Sequence, residues 1–200
     1  RGQGGPSFNT PDEDSIGGEA FQGGRLRGSV QAVVLAGGVG SRLRPWTDTV
    51  PKPLLPMLDR TLLEQVVWGM PTGVVDEIVV AGGYRVQQIT DHFAAQEHGI
   101  DVIIVEESEP LGTGGALANC KDVISGRFAC FNGDVITSLR MEDLLDLHNL
   151  NGGVGTLALW EVEDPTRFGI VGLDEDQRVT AFKEKPTPEE VFSNLINAGS

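Results

Sequence analysis

The chain has 200 residues, 40% of them apolar, and a formal net charge of −14. The length suits one domain with a single sizeable core, and the negative charge argues against a protein that binds nucleic acid without sequence preference. No apolar run approaches the ~20 residues that a spanning helix needs, and no secretory signal is recognisable. We therefore expect a cytoplasmic protein with neither a membrane nor a nucleic acid as partner.

Residues 1–29 are rich in Gly, Ser, Pro and Asp and contain few aliphatic residues. Such a segment buries too little apolar surface to offset its ordering entropy, which predicts a flexible tail. From residue 30 the character changes, and "VQAVVLAG" is typical of a strand buried on both faces. Residues 30–200 are therefore predicted to form one domain.

In the segments that follow, the apolar residues alternately show the spacing of a helix and that of a strand. In chain order we predict a helix in "TLLEQVVWGM", a strand in "DEIVVAGG", a helix in "RVQQITDHFAAQEHG", a strand in "DVIIVEE", a helix in "GGALANCKDVI", a strand in "RFACFNGDV" and a helix in "RMEDLLDLHNLNG". Strands in "GTLALWEV", "GIVGLD" and "RVTAFKEK" come last, with a hairpin turn at 174–177.

This alternation predicts an α/β fold with a mostly parallel sheet and helices on both faces. Right-handed crossovers place the carboxyl ends of the strands along one edge, where open sheets bind ligands. The loops that follow the strands at Gly37 and Asn132 are therefore expected to share a crevice.

The first loop, "LAGGVGSRLRPWTDTVPKPLLPM" at 35–57, combines glycines, prolines and cations. Glycines let backbone N–H groups approach a phosphate closely, and Arg42 and Lys52 can neutralise the remaining charge. A tight turn without a ligand would explain a lone "GxG" equally well. The longer pattern predicts a preorganised anion site, and we expect Trp46 to pack the loop down.

Three common alternatives do not fit. A Walker loop needs Gly-Lys-Ser/Thr after the second glycine, where this chain has "GGVGSR". A dinucleotide fold needs an acidic residue at the end of the second strand, which here ends "AGGY". Cys120 and Cys130 have no partners that would complete a tetrahedral metal site.

Extended to "LAGGxGxRLxPxTxxxPKPLLP", the loop resembles the signature of the sugar-1-phosphate nucleotidyltransferases. Further motifs follow in the order of that family, namely "EPLGTGGAL" at 109–117, "FNGDV" at 131–135, "FGIVGLD" at 168–174, "FKEKP" at 182–186 and "NLINAG" at 194–199. The resemblance implies a Rossmann-like (GT-A-like) nucleotidyltransferase fold. It also implies that a sugar 1-phosphate attacks the α-phosphate of a nucleoside triphosphate, which gives a nucleotide sugar and pyrophosphate.

The resemblance also implies roles for individual residues. Arg42 would brace the pyrophosphate, Lys52 would contact the reacting phosphates, and Asp134 would bind Mg²⁺, a hard ion that suits a carboxylate after a buried strand. Nucleotide-binding positions would be Leu35, Ala36, Gly37, Gly38, Val39, Gly40, Ser41, Gly112, Thr113 and Gly114. Sugar-phosphate positions would be Gly133, Gly169, Glu184, Lys185 and Asn197. Phe168 and Ile196 would be core neighbours of the sugar site.

Without the resemblance, other roles remain open for several of these residues. Asp134 could cap the next helix. Glu184 and Lys185 could form a solvated strand end. Any one of the glycines at 112 and 114 could simply serve a turn.

Among members of the family, "PLGTGGAL" together with "FKEKP" and "INAG" most resembles guanylyltransferases that act on mannose 1-phosphate. This similarity predicts GTP and mannose 1-phosphate as partners. Heptose 1-phosphate guanylyltransferases and glucose 1-phosphate thymidylyl- or uridylyltransferases are alternatives. A further alternative is a non-catalytic regulatory relative that binds nucleotide sugars. Whether the protein forms a homo-oligomer is left open.

The family continues past "NAG" and supplies a second carboxylate of the metal site from that later part. The sequence therefore predicts a catalytic domain that is incomplete at its C-terminus. Because a strand beginning at "INAG" would lose its continuation, we also expect a sheet edge or an apolar face to be uncovered.

Overall fold

The computed structural model describes residues 30–71, 73–95, 99–137 and 139–197, so the predicted tail at 1–29 lies outside the described part. The strands are β1 (Val30–Ala36), β2 (Pro56–Met57), β3 (Arg60–Thr61), β4 (Val75–Gly82), β5 (Asp101–Glu106), β6 (Phe128–Asn132), β7 (Leu159–Glu161), β8 (Gly169–Leu173), β9 (Val179–Glu184) and β10 (Leu195–Asn197). The helices are α1 (Leu62–Trp68), α2 (Val86–Ala94), α3 (Gly112–Asn119) and α4 (Met141–Asn151).

The first part of the chain builds a four-stranded parallel sheet in the order β5-β4-β1-β6. Its centre is buried on both faces, because β1 alternates between two clusters. One cluster contains Val34 with Leu63 of α1 and Ile89 of α2. The other contains Val33 with Ala116 of α3. The predicted α/β sheet with helices on both faces is confirmed.

The register of this sheet fixes where its loops begin. Leu35 in β1 lies opposite Asn132 in β6, and the amide of Gly133 donates to the carbonyl of Leu35 at 2.9 Å. The two strands therefore end at the same edge and within one residue of each other. That edge is where the sequence places the two motif loops.

The later strands form a second, antiparallel sheet in the order β7-β10-β8-β9. The hairpin turn at 174–177 is confirmed, since the amide of Gln177 donates to the carbonyl of Asp174 at 3.1 Å. Ile196 is buried as expected, whereas Phe168 is 42% exposed and the prediction for it is wrong. Phe168 lies just before β8 begins; its carbonyl still accepts from the amide of Lys185 at 2.9 Å, but its side chain is open to solvent.

Large apolar side chains of the second sheet are open to solvent. Trp160 and Phe182 each expose more than half of their surface, and β9 is exposed along its whole length. Strand pairing, however, puts Trp160 on the face of Ile196 and Ile170. It puts Phe182 on the opposite face, with Val171. The two side chains do not form one apolar face, and the uncovered face stays a prediction. Among the helices of the described ranges, none is both long enough and apolar enough to cross a membrane.

Candidate active site

A cavity of about 360 Å³ opens at the carboxyl edge of the parallel sheet, between the loops that follow β1 and β6. Its lining consists of Leu35, Ala36, Gly38, Gly40, Ser41, Arg42, Leu43, Lys52, Pro53, Asn132, Gly133 and Asp134. The predicted shared crevice is therefore confirmed. The sequence motifs single out all of these positions as site residues except Leu43, Pro53 and Asn132.

Close backbone approaches give the glycines of the cavity specific roles. Gly40 has a φ of 67°, in the left-handed region that favours glycine, and begins the short 3-10 helix Ser41–Leu43. A Cβ on Gly133 would lie only 2.9 Å from the carbonyl oxygen of Leu35. Gly38, by contrast, has open space around its Cα. Its backbone therefore faces the cavity without a side chain in the way.

The loop is held down by Thr47 and not by its aromatic neighbour. The Thr47 hydroxyl donates to the carbonyl of Gly40 at 2.9 Å, and the residue is 1% exposed. Trp46 is 68% exposed, so the expectation that it packs the loop is wrong. Trp46 and Thr47 are neighbours in the short 3-10 helix Trp46–Asp48, and Thr47 is the residue of that helix that is buried.

Cationic and anionic side chains meet across the cavity. Lys52 forms a hydrogen-bonded ion pair with Asp134, and their side chains are 29% and 42% exposed. Arg42 is exposed in the same lining. The two loops thus place two cations and one carboxylate around the space into which the glycine backbone opens.

Asp134 is the acidic side chain that this cavity offers to a metal ion. In the part of the chain that the structure describes, no group of three or more His, Cys, Asp or Glu side chains could hold a metal. Mg²⁺ is commonly bound through one or two carboxylates together with phosphate oxygens and water. Asp134 therefore fits a metal whose other ligands come from a bound phosphate.

Glu107 connects the glycine loop to α3. Its Oε1 lies 2.5 Å from the position that a Cβ on Gly37 would occupy, and its Oε2 accepts from the amide of Leu111 at 3.4 Å. Gly112, Thr113 and Gly114 form the first turn of α3 and do not line the cavity. Val39 lies in the loop but also outside the lining.

The four positions predicted for the sugar in the second sheet lie together. Gly169 pairs with Glu184, and continuing the Ile196–Ile170 register by one residue places Asn197 on the other side of Gly169. Paired residues share a face of a sheet. Lys185 follows with a φ of 44° and its Nζ 3.6 Å from Glu184 Oε1. None of the four lines the cavity between the two loops.

Comparison with known proteins places this arrangement in a family. Residues 31–200 match the family model "Nucleotidyl transferase". The chain belongs to the nucleotidyl transferase family. The match covers both motif loops, the first turn of α3 and the row of residues in the second sheet.

Two curated relatives illustrate the similarity. The chain is 36% identical over 174 residues to "Mannose-1-phosphate guanylyltransferase catalytic subunit beta" of Drosophila pseudoobscura pseudoobscura, covering 84% of this chain and 46% of that protein. It is 38% identical over 172 residues to "Mannose-1-phosphate guanylyltransferase" of Mycobacterium tuberculosis, covering 85% and 47%. The chain thus spans about half the length of the curated relatives it matches.

A solved structure shows the same fold. It is that of HddC from Yersinia pseudotuberculosis complexed with GMP-PN, which superposes with a TM-score of 0.67 at 28% identity and covers 85% of this chain and 74% of that chain. The fold of this chain, which the family model assigns to the nucleotidyl transferases, is therefore shared with a solved structure.

The sequence motifs do not single out Asn132, which lines the cavity, or Glu107, which follows β5 at the same edge of the sheet. Asn132 ends β6 and lines the cavity, and it could have been found because it precedes Gly133 at the predicted edge. The pattern that indicates Asp134, an acidic residue just after an apolar strand, also describes Glu107, although β5 is an edge strand and only partly buried.

Proposed function

We propose that the full-length protein is a sugar-1-phosphate nucleotidyltransferase that converts GTP and mannose 1-phosphate to GDP-mannose and pyrophosphate. The observation that carries the proposal is the cavity in which Arg42, Lys52 and Asp134 surround the open backbone of the glycine loop. Phosphoryl chemistry requires mainly positioning and charge stabilisation, and this set of groups supplies both.

In the proposed reaction the amides of Gly38 to Ser41 bind the triphosphate, and Arg42 stabilises the charge that develops on the leaving pyrophosphate. Lys52 leaves its ion pair with Asp134 and binds the reacting phosphates instead. An oxygen of the sugar 1-phosphate forms a bond to the α-phosphorus while the bond to the β-phosphate oxygen breaks. The nucleophile is already an anion, so no side chain has to remove a proton from it.

Asp134 would hold Mg²⁺ together with the phosphate oxygens. When bound, the ion would neutralise charge on the phosphates. The first turn of α3, Gly112 to Gly114, would lie along the base and ribose, where small residues permit backbone contact. Gly133, Gly169, Glu184, Lys185 and Asn197 would bind the sugar phosphate.

The choice of GTP and mannose 1-phosphate is supported by the names of the curated relatives and by the HddC structure, which is complexed with GMP-PN. Both proposed substrates are soluble anions, which suits a cytoplasmic enzyme. The basic loop on a chain of net charge −14 would attract such small anions and leave polyanions repelled.

The test is pyrophosphate release by the full-length natural protein with Mg²⁺, with each nucleoside triphosphate paired with a panel of sugar 1-phosphates. We expect release only with GTP and mannose 1-phosphate. Release with UTP or dTTP and glucose 1-phosphate, or with GTP and a heptose 1-phosphate, would assign a different substrate pair within the class. Nucleotide binding without release from any pair would favour a regulatory relative and contradict the proposed activity.

A further inference from the structure

The residues just before α2 contact the glycine loop at Gly37, its first residue after β1. A Cβ on Gly83 would lie 3.0 Å from the carbonyl oxygen of Gly37, so the two backbones touch at this point. The amide of Tyr84 donates to the same carbonyl at 3.4 Å. The loop is thus fixed to the β4–α2 junction where it leaves β1.

The same junction holds the later part of the loop, residues 46–52, through three side chains. One of them is Tyr84, whose hydroxyl donates to the carbonyl of Asp48 at 3.4 Å. Arg85 Nη2 donates to the carbonyl of Asp48 at 2.7 Å, and Gln88 Nε2 donates to the carbonyl of Thr49 at 3.2 Å. These carbonyls lie at the end of the short 3-10 helix Trp46–Asp48, where backbone acceptors lack partners within the helix. Lys52 follows only three residues after Thr49.

Arg85 makes its contact from an unfavourable backbone conformation. Its φ of 56° and ψ of 37° are left-handed, a region that is unfavourable for a residue with a Cβ. Tyr84 supports the guanidinium, because Arg85 Nε donates to the Tyr84 hydroxyl at 2.9 Å and Cζ lies 5.3 Å from the ring centroid. Strained residues persist where the surrounding structure over-determines them, commonly at functional sites.

We propose that Arg85 and Gln88 are positioning residues for the nucleotide loop. Neither lines the cavity. By fixing the carbonyls of Asp48 and Thr49 they hold the segment that carries Lys52, while Thr47 ties the same segment to Gly40. A loop that is ordered before the nucleotide arrives does not lose that conformational entropy on binding.

This inference rests on the proposed function, since it takes a triphosphate as the ligand of the loop. Contacts that only stabilised the fold would lower the thermal midpoint and affect both substrates alike. Contacts that position the loop would weaken nucleotide binding selectively. The two roles are therefore separated by comparing GTP affinity, the KM for mannose 1-phosphate and the thermal midpoint.

The experiment uses the full-length protein and measures GTP binding by calorimetry in the absence of the sugar phosphate. Gln88→Ala removes the contact to the loop, and Gln87→Ala is its matched control, because Gln87 Nε2 donates to Asp91 Oδ1 on its own helix at 2.8 Å. We expect Gln88→Ala to weaken GTP binding about 3- to 10-fold, the range of one hydrogen bond. Gln87→Ala should leave it unchanged, and neither should alter the KM for mannose 1-phosphate.

Arg85 is tested with two variants, one that suits its left-handed backbone and one that keeps its positive charge. Arg85→Asn suits the left-handed backbone but removes the guanidinium group that donates to the carbonyl of Asp48. It should weaken GTP binding about 10-fold or more, as expected for a charged hydrogen bond. Arg85→Lys, which retains a cationic donor, should recover part of this loss.

Wild-type protein that binds GTP, with Gln88→Ala and Arg85→Asn binding it equally well, would overturn the positioning role and leave the proposed function intact. Losses that merely follow a lowered thermal midpoint, or that affect mannose 1-phosphate equally, would also overturn it. Wild-type protein that binds no nucleoside triphosphate would overturn the positioning role and the proposed function together.

Discussion

Lys52 and Asp134 form an ion pair across the cavity, although 82 positions separate them along the chain. The pair joins the loop after β1 to the loop after β6. Each partner is also a group that the proposed reaction needs, one for the phosphates and one for the metal ion. In the proposed reaction a bound nucleotide would therefore replace an existing contact, one that joins the two loops before the substrate arrives.

Replacing the carboxylate tests its proposed role. Asp134→Asn keeps the size of the side chain but removes the charge that would hold Mg²⁺. We expect the full-length variant to lose its Mg²⁺-dependent pyrophosphate release, while the thermal midpoint changes little because an exposed ion pair contributes only about 0–1 kcal/mol. The measurement is release over a Mg²⁺ titration, and an unchanged profile would remove Asp134 from the metal site.

The two arginines of the loop should behave differently. Arg42 lines the cavity, whereas Arg44 lies outside it and pairs with Asp48 at 3.3 Å. Arg42→Ala should lower kcat/KM by about 100-fold, as the loss of one transition-state donor does elsewhere. Arg44→Ala is the control and should retain near-normal turnover. Both should keep the unfolding free energy within about 0.5 kcal/mol of wild type, and equal effects on turnover would contradict the catalytic assignment of Arg42.

Two glycines of the cavity provide a matched pair for stability. A Cβ on Gly133 would lie 2.9 Å from the Leu35 carbonyl oxygen and 3.2 Å from Val34 Cγ1, whereas Gly38 has open space. Gly133→Ala should therefore lower the unfolding free energy by about 1–3 kcal/mol. Gly38→Ala should leave it nearly unchanged. Urea unfolding of the full-length variants measures both, and equal midpoints would show that the sheet edge relaxes around the added methyl.

A buried contact between α1 and α2 predicts the acid sensitivity of the fold. Burial raises the pKa of Glu64, but hydrogen bonds from the Thr61 backbone and hydroxyl and from His92 outweigh that effect, so its pKa lies below the ordinary value of 4.5. A lowered carboxyl pKa contributes stability above pH 4.5 that is lost as the pH falls through the folded-state pKa.

The corresponding variant is Glu64→Gln, which removes the titrating group from the capping box with Thr61. Wild type should exceed this variant in unfolding free energy by about 1.5–3 kcal/mol at pH 7, the typical value of a hydrogen bond to a charged group. The difference should shrink as the pH falls below 4.5. Asp146→Asn, on an exposed position of α4, is the charge control and should show no such convergence. A difference that does not change with pH would contradict the assignment.

Local pattern and motif predicted most of the fold. The buried strand before Gly37, the alternation with helices and the shared edge of β1 and β6 all follow from hydrophobic period and strand direction. The first turn of α3 begins two residues earlier than expected, at Gly112. Helix ends are set by individual backbone hydrogen bonds, which hydrophobic period does not resolve.

Tertiary contacts account for what the sequence does not reveal. The burial of Thr47 in place of Trp46, and the contact of Glu107 with Gly37, depend on which side of a loop meets its neighbours. The partner of Lys52 lies far away in sequence and is determined by strand register. Likewise, the alignment of Asn197, Gly169 and Glu184 depends on pairing within the antiparallel sheet, which motif spacing does not specify.

The order of the lining residues along the chain has a consequence for biosynthesis. The cavity is complete once Asp134 has been made, whereas the first residue of the row in the second sheet is Gly169. At ~5–20 residues per second, the ribosome needs roughly two to seven seconds to cover the stretch between them. During that interval the proposed nucleotide pocket of a nascent chain would precede the proposed sugar pocket, and a cellular triphosphate that bound there would stabilise the emerging half by mass action.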